Sequence, residues 1–170
     1  MAELASTGFP PVVGEDARVL ILGSLPGERS ISMQQYYAHP RNGFWTIMED
    51  VFGIRGHYDV RCAQLIQHRI ALWDVLKRSV RPGSLDADIE TRTAEVNQLQ
   101  DFLLEHQDIR RIVFNGKKAR QLFDRFVDID LLDDAIALIS APSTSPAYAA
   151  MPLSEKCDRW AEALAPVITR

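Results

Sequence analysis

The sequence predicts an α/β domain, a three-layer α/β/α sandwich around a short four-stranded parallel sheet. Four short apolar runs are continuous rather than alternating, the habit of strands buried on both faces. Segments with helical apolar periodicity lie between and after them. The chain has 170 residues with no internal repeat, low-complexity stretch or linker, which suits a single domain over residues 1–170.

Taken in order, Arg18-Val19-Leu20-Ile21-Leu22 is the first strand and ends at Gly23. Ile70-Ala71-Leu72-Trp73 is the second. Ile89, Val96, Leu99 and Leu103 predict one long amphipathic helix. Arg111-Ile112-Val113-Phe114 is the third strand, followed by a helix whose stripe is Ala119, Leu122, Phe123 and Phe126. Ala135 to Ile139 is the fourth strand, and Leu153, Cys157, Trp160, Ala161 and Leu164 mark the last helix. Open parallel sheets bind ligands beyond the carboxyl ends of their strands. The site is therefore expected in Gly23-Ser24-Leu25-Pro26-Gly27, from Asp74 onward, in Asn115-Gly116-Lys117 and in Pro142-Ser143-Thr144-Ser145-Pro146.

Composition removes several classes. Hydrophobic content of 46% with 25% charged residues is ordinary for a soluble domain. No apolar run approaches the roughly 18 residues needed to span a bilayer, and the start, Met1 to Gly8, lacks the pattern of a secretory signal. A cytoplasmic, monomeric protein without a membrane partner is expected. Cys62 and Cys157 lie far apart in helix-like segments, which predicts reduced structural thiols, and two cysteines cannot hold an iron–sulfur cluster. There is no zinc-type His/Cys spacing, no Gly-x-Gly-x-x-Gly and no phosphate loop, and Ser24 and Ser30 lack a nucleophile-elbow context. Neither metal nor organic cofactor is expected. The net charge of −4 is uneven, because residues 37–85 carry seven Lys/Arg against four Asp/Glu. Much of the acidity sits between Asp124 and Asp134, so a local basic face remains possible for a partner with phosphates.

The string Tyr36-Tyr37-Ala38-His39-Pro40-Arg41-Asn42-Gly43-Phe44-Trp45, after the Gly-Ser-Leu-Pro-Gly loop at 23–27, resembles the first motif region of the uracil-DNA glycosylase superfamily. Mismatch-specific uracil glycosylases have a similar string, and the hypoxanthine branch is more similar still. Pro142-Ser143-Thr144-Ser145 resembles the segment these enzymes press into the minor groove, and Asp74 stands where relatives place a base-reading Asn. The resemblance runs over roughly 18–165. It implies a monofunctional DNA glycosylase of base excision repair, acting on double- or single-stranded DNA with a deaminated base. Hypoxanthine is the expected base, with mismatch-specific uracil excision or a catalytically weak damage-binding module as alternatives. In uracil-specific relatives the first loop holds a polar Asn or Asp, whereas here the place falls on Leu25, so the resemblance shifts the catalytic role to Asn42. Gly23, Ser24, Leu25 and Phe44 are expected around the base with Tyr37, His39 and Asp74. Arg41, Lys117 and the segment Ser143, Thr144, Ser145, Pro146, Ala147 and Tyr148 are expected against the DNA.

Each residue also has a plainer reading. The target base must leave the stack before its glycosidic bond can be reached, so an aromatic face is needed. Tyr37 fits it, although paired tyrosines also pack cores. Asn42 can orient water or cap the helix opening near Gly43, and its orientation decides. His39 can be a general acid or a structural hydrogen-bonding group. Asp74 can meet the base edge, cap the next segment, or pair with Lys77 or Arg78 at the surface. Uracil and hypoxanthine both present a ring N–H beside a carbonyl; an ionised carboxylate only accepts, so Asp74 argues away from strict uracil recognition unless burial retains its proton. Ser143 and Ser145 can hold phosphates, and Ala147 or Tyr148 can fill the gap left by the base. Lys117 can touch phosphate or remain solvated.

Overall fold

Every residue from Val19 to Gly23 is buried, with Val19 and Ile21 packed into one cluster and Leu20 and Leu22 into another. A strand apolar on both sides must lie in the middle of three layers. The computed structural model describes residues 5–168, and the first four residues of the N-terminal reading lie outside them. In order, the elements are β1 (Ala5–Thr7), β2 (Val19–Gly23), α1 (Glu28–Met33), α2 (Phe44–Phe52), α3 (Tyr58–Gln67), β3 (Ile70–Asp74) and β4 (Leu76–Val80). Then follow β5 (Glu95–Val96), α4 (Leu99–Glu105), β6 (Arg111–Asn115), α5 (Lys117–Phe126), β7 (Ala137–Ala141) and α6 (Leu153–Ala163).

The central sheet has the order β3-β2-β6-β7, parallel throughout. On one face Leu20, Leu22, Ile112 and Phe114 pack with Phe102, Leu122 and Phe123 from α4 and α5. On the other, Val19, Ile21, Leu72 and Val113 pack with Phe44, Ile47, Leu65 and Trp160 from α2, α3 and α6. This is the α/β/α sandwich that the continuous apolar runs predict. Registers of Gly23 with Asp74 and of Asn115 with Ala141 bring the four strand ends level on one edge.

Three local expectations are corrected. The long helix through Ile89 and Leu103 does not form: Ile89 follows a short 3₁₀ turn, Val96 pairs with Leu76 in β5, and only Leu99–Glu105 is helical. A second, antiparallel sheet of order β1-β4-β5 occupies that region. Thr93 fastens it, its Oγ1 accepting the Val80 N–H at 2.9 Å. All four apolar residues still point into one core, so turn, strand and helix together imitate one helical period. The fourth strand begins at Ala137, because Asp133 first makes a turn, its Oδ1 accepting the Ala135 N–H at 2.9 Å. In α6 the buried face carries Lys156, Trp160 and Ala163, leaving Leu153 exposed at the helix start. Cys62 and Cys157 are both free thiols. No helix among the described residues is long and apolar enough to cross a membrane.

Candidate active site

Where β2 and β3 end side by side, Gly23 lies against Asp74. A Cβ at Gly23 would lie 2.9 Å from the Tyr37 hydroxyl and closer still to the Asp74 carboxylate, so only glycine permits this approach. Asp74 is 4% exposed and its Oδ2 has no hydrogen-bond partner. Burial, then the nearby charge of Asp86, pushes its carboxyl up to about 7, opposed by the Arg81 guanidinium. It makes no ion pair with Lys77 or Arg78, which are exposed on β4. The surface-pair reading therefore fails.

Tyr37 sits over this floor. Its φ of 54° is left-handed, a conformation costing a tyrosine on the order of 1–3 kcal/mol. Flanking bonds hold it: the Tyr36 N–H donates to the Tyr58 hydroxyl at 3.1 Å and the Ala38 N–H to Ser30 Oγ at 3.1 Å. Phe44 backs the Tyr37 ring at 4.2 Å and 27°. The Tyr37 hydroxyl is buried without a partner, and burial followed by the charge of Asp74 keeps it protonated. Tyr36 is a core residue whose hydroxyl donates to the Pro10 carbonyl at 3.0 Å.

Asn42 Oδ1 accepts the Phe44 N–H at 3.0 Å, which fastens the side chain at the start of α2. Gly43, not Asn42, is the N-cap, so Asn42 serves the first helical N–H from one residue earlier, in an Asx turn, and it lines the cleft as well. Its amide nitrogen and the second lone pair of its oxygen remain available for other partners. His39 Nδ1 accepts the Arg41 N–H at 3.1 Å, a structural bond that leaves Nε2 as the outward nitrogen.

The opposite wall is the segment after β7. Asn115 and Thr144 bind each other reciprocally, at 2.9 Å from the amide to the hydroxyl and 3.0 Å from the Thr144 N–H to Asn115 Oδ1. The Thr144 carbonyl accepts the Gly43 N–H at 2.9 Å, so this residue ties β6, the loop and α2 together. Ser143 Oγ and Ser145 Oγ accept backbone N–H groups of their own turns at 3.2 Å, leaving both hydroxyl protons to donate elsewhere. Lys156 Nζ donates to the Tyr148 carbonyl at 2.8 Å and holds the far end.

These walls enclose a cleft of about 740 Å³. Gly23, Ser24, Leu25, Tyr37, His39 and Asn42 line it together with Asp74. Arg41 and the segment from Ser143 to Tyr148 form its rim. Two expected residues, Phe44 and Lys117, have other places, and Thr144 lines the cleft only as a buried part of its wall. Phe44 is wholly buried behind Tyr37, and Thr144 is 2% exposed and engaged with Asn115. Lys117, with Arg111 and Arg159, lines a second hollow that shares Ser143 and Tyr148 with the cleft.

The sequence alone offers no reason to single out Arg81 or Asp86, and it places Asn115 only within the expected Asn115-Gly116-Lys117 loop, without a role. Arg81, at the end of β4, has a side chain 1% exposed. Its guanidinium donates to the carbonyls of Leu25 and Pro26 and lies 3.8 Å from Asp86, which accepts from Ser24 Oγ at 2.5 Å. A lone Arg in a loop-like stretch carries no sequence signal. Asn115 had one, since an Asn-Gly pair ending an apolar run at the sheet's carboxyl edge marks a turn toward a site.

The model of the uracil DNA glycosylase superfamily matches residues 10–166. The chain belongs to that superfamily. As a superfamily member it is a monofunctional DNA N-glycosylase, a hydrolase of N-glycosyl bonds. Two relatives named hypoxanthine DNA glycosylase, from Methanosarcina barkeri and Methanosarcina acetivorans, are each 40% identical over 115 residues. Each alignment covers 66% of this chain and 72% of the relative. A solution NMR structure of a candidate uracil DNA glycosylase from Methanosarcina acetivorans superposes with a TM-score of 0.81 at 30% identity, covering 96% of this chain and 99% of that one. The superfamily assignment accounts for a cleft at the strand ends that has an aromatic side, a polar floor and a Ser-rich rim.

Proposed function

We propose that the protein removes hypoxanthine from DNA, flipping the deaminated nucleotide into the cleft and hydrolysing its glycosidic bond to leave an abasic site. The observation that carries this reading is the convergence of Tyr37, Asn42 and Asp74 on one cleft beyond the strand ends. The names of the 40%-identical relatives support the choice of base. Tyr37, braced by Phe44, gives the flipped base a stacking face. Asp74 meets the edge bearing the ring N–H and its carbonyl. Asn42, immobilised by its bond to the Phe44 N–H, orients water toward the anomeric carbon, and the α2 N-terminus favours the negative charge gathering on the departing base. Ser143, Ser145 and Arg41 hold the flanking phosphates, while Ala147 or Tyr148 fills the gap in the stack.

A second reading, excision of uracil from mismatches, is favoured by one observation. With its proton retained, Asp74 matches the imide edge of uracil as well as that of hypoxanthine, so this residue alone does not exclude the smaller base. Duplexes containing inosine, uracil or xanthine, assayed for free base release, separate the readings; release of uracil alone overturns the first. Asn42→Ala should lower excision by about 10²–10³, the cost of losing one preorganised polar group. A folded variant that cleaves at the normal rate removes Asn42 from the mechanism.

A further inference from the structure

Three ionisable side chains, Asp74, Arg81 and Asp86, bear on one another near the first loop. Asp74 sits on the cleft floor at the end of β3, with Oδ2 unpartnered. Asp86, 40% exposed at its side chain, stands on a 3₁₀ turn that lines the same cleft. Arg81 is buried 3.8 Å from Asp86 and donates to the loop carbonyls of Leu25 and Pro26. The other ionisable groups that bear on Asp74 are Tyr36 and Tyr37, both protonated. Its strand neighbour Gly23 does not ionise, nor does Asn115, which ends the next strand but one and lines the same cleft.

We infer that Asp74 engages the base as a neutral carboxylic acid, and that Asp86 is the positioning residue that keeps it neutral. This rests on the glycosylase reading above and specifies the chemistry of its base-binding group. A carboxylate can only accept, and would oppose the base carbonyl while accepting the ring N–H. The neutral acid donates to the carbonyl and accepts from the N–H at once, the same pairing an Asn amide makes with its N–H in place of the O–H. The donated bond also strengthens as negative charge develops on that carbonyl oxygen during glycosidic cleavage.

The surroundings are built to retain the proton. Asp74 is 4% exposed, no backbone N–H or side-chain donor reaches Oδ2, and the charge of Asp86 on the same cleft opposes its ionisation. Arg81 pulls the other way, but its terminal nitrogens donate to the Leu25 and Pro26 carbonyls and lie closer to Asp86, none of its hydrogen bonds reaches Asp74, and its Nε has no partner. The Ser24 hydroxyl, donating to Asp86 at 2.5 Å, anchors the second carboxylate to the first loop.

Single-turnover excision from an inosine duplex, followed from pH 5.5 to 9, tests this. Activity of the unmodified protein should fall with an alkaline limb near 7, about tenfold per pH unit beyond it, as the donor is lost. Asp74→Asn cannot titrate and should lack that limb, so that it exceeds the unmodified protein at alkaline pH. Asp86→Asn removes the opposing charge and should move the limb to lower pH. A limb that stays in place in Asp74→Asn overturns the inference, as does a folded Asp74→Asn protein inactive at every pH, or a limb unmoved in Asp86→Asn. If the unmodified protein releases no hypoxanthine at any pH, the functional reading fails instead.

Discussion

Asp74 and Gly23 are read in the sequence as the ends of two strands, yet their meaning comes from lying next to each other. The carboxyl of Asp74 is raised from 3.8 to about 7, which makes it a stability liability as well as a reactive group. Because the folded value is the higher, there is no penalty below about 4, it grows as pH rises, and it is complete above about 7. Asp74→Asn should therefore leave stability at pH 4 nearly unchanged and raise it at pH 8 by a few kcal/mol, discounted for local relaxation. Urea unfolding at the two pH values measures this, and equal gains at both would show that ionisation is not the cause. Gly23→Ala should act in the opposite sense, since its methyl would displace both Asp74 and the Tyr37 hydroxyl.

At the scale of elements, the Ser-rich loop is held from both ends. Gly116 has φ of 91°, and a Cβ there would come within 3.0 Å of Ser143 Cβ. Gly116→Ala combines backbone strain with this contact and should cost about 1–3 kcal/mol. It should also raise KM for damaged DNA more than a strain-free core substitution of equal cost, because the rim moves. Thermal melts combined with steady-state kinetics distinguish the two effects. At the loop's far end, Lys156 is a core position by helical phase, yet its ammonium reaches the Tyr148 carbonyl. Apolar periodicity assigned that face to Leu153, Cys157 and Trp160 and could not anticipate a lysine drawn inward by a carbonyl. The false long helix has the same origin: period alone does not distinguish one helix from a turn, a strand and a helix feeding one core.

For the whole molecule, an excess of acidic residues coexists with a DNA-facing rim. The net charge is −4, but Arg29 and Arg41 stand at the cleft beside the Ser143 and Ser145 hydroxyls. Few phosphates are within reach, so binding to an abasic duplex should weaken with salt with a log–log slope of about −2 to −3. A slope near zero in a fluorescence titration would show that the cleft does not engage the backbone. The two cores on either side of the sheet make the strand ends rigid, which holds Gly23, Asp74 and Asn115 in register whatever occupies the cleft.

By itself the sequence determined the three-layer class, the four parallel strands to within two residues at their ends, the edge where the site forms, and the ordered motif from Tyr36 to Trp45. These are local properties: apolar runs, breakers and residue strings are written in neighbouring positions. Tertiary structure alone decided that Thr144 is a buried wall of the cleft, that Phe44 backs Tyr37 from behind, that Lys117 lines the adjoining hollow, and that the charges of Asp86 and Arg81 act on Asp74. Those outcomes depend on burial and on charges from segments distant in the chain. A carboxyl's proton is set by the dielectric and the fields around it, and neither exists until the strands have met.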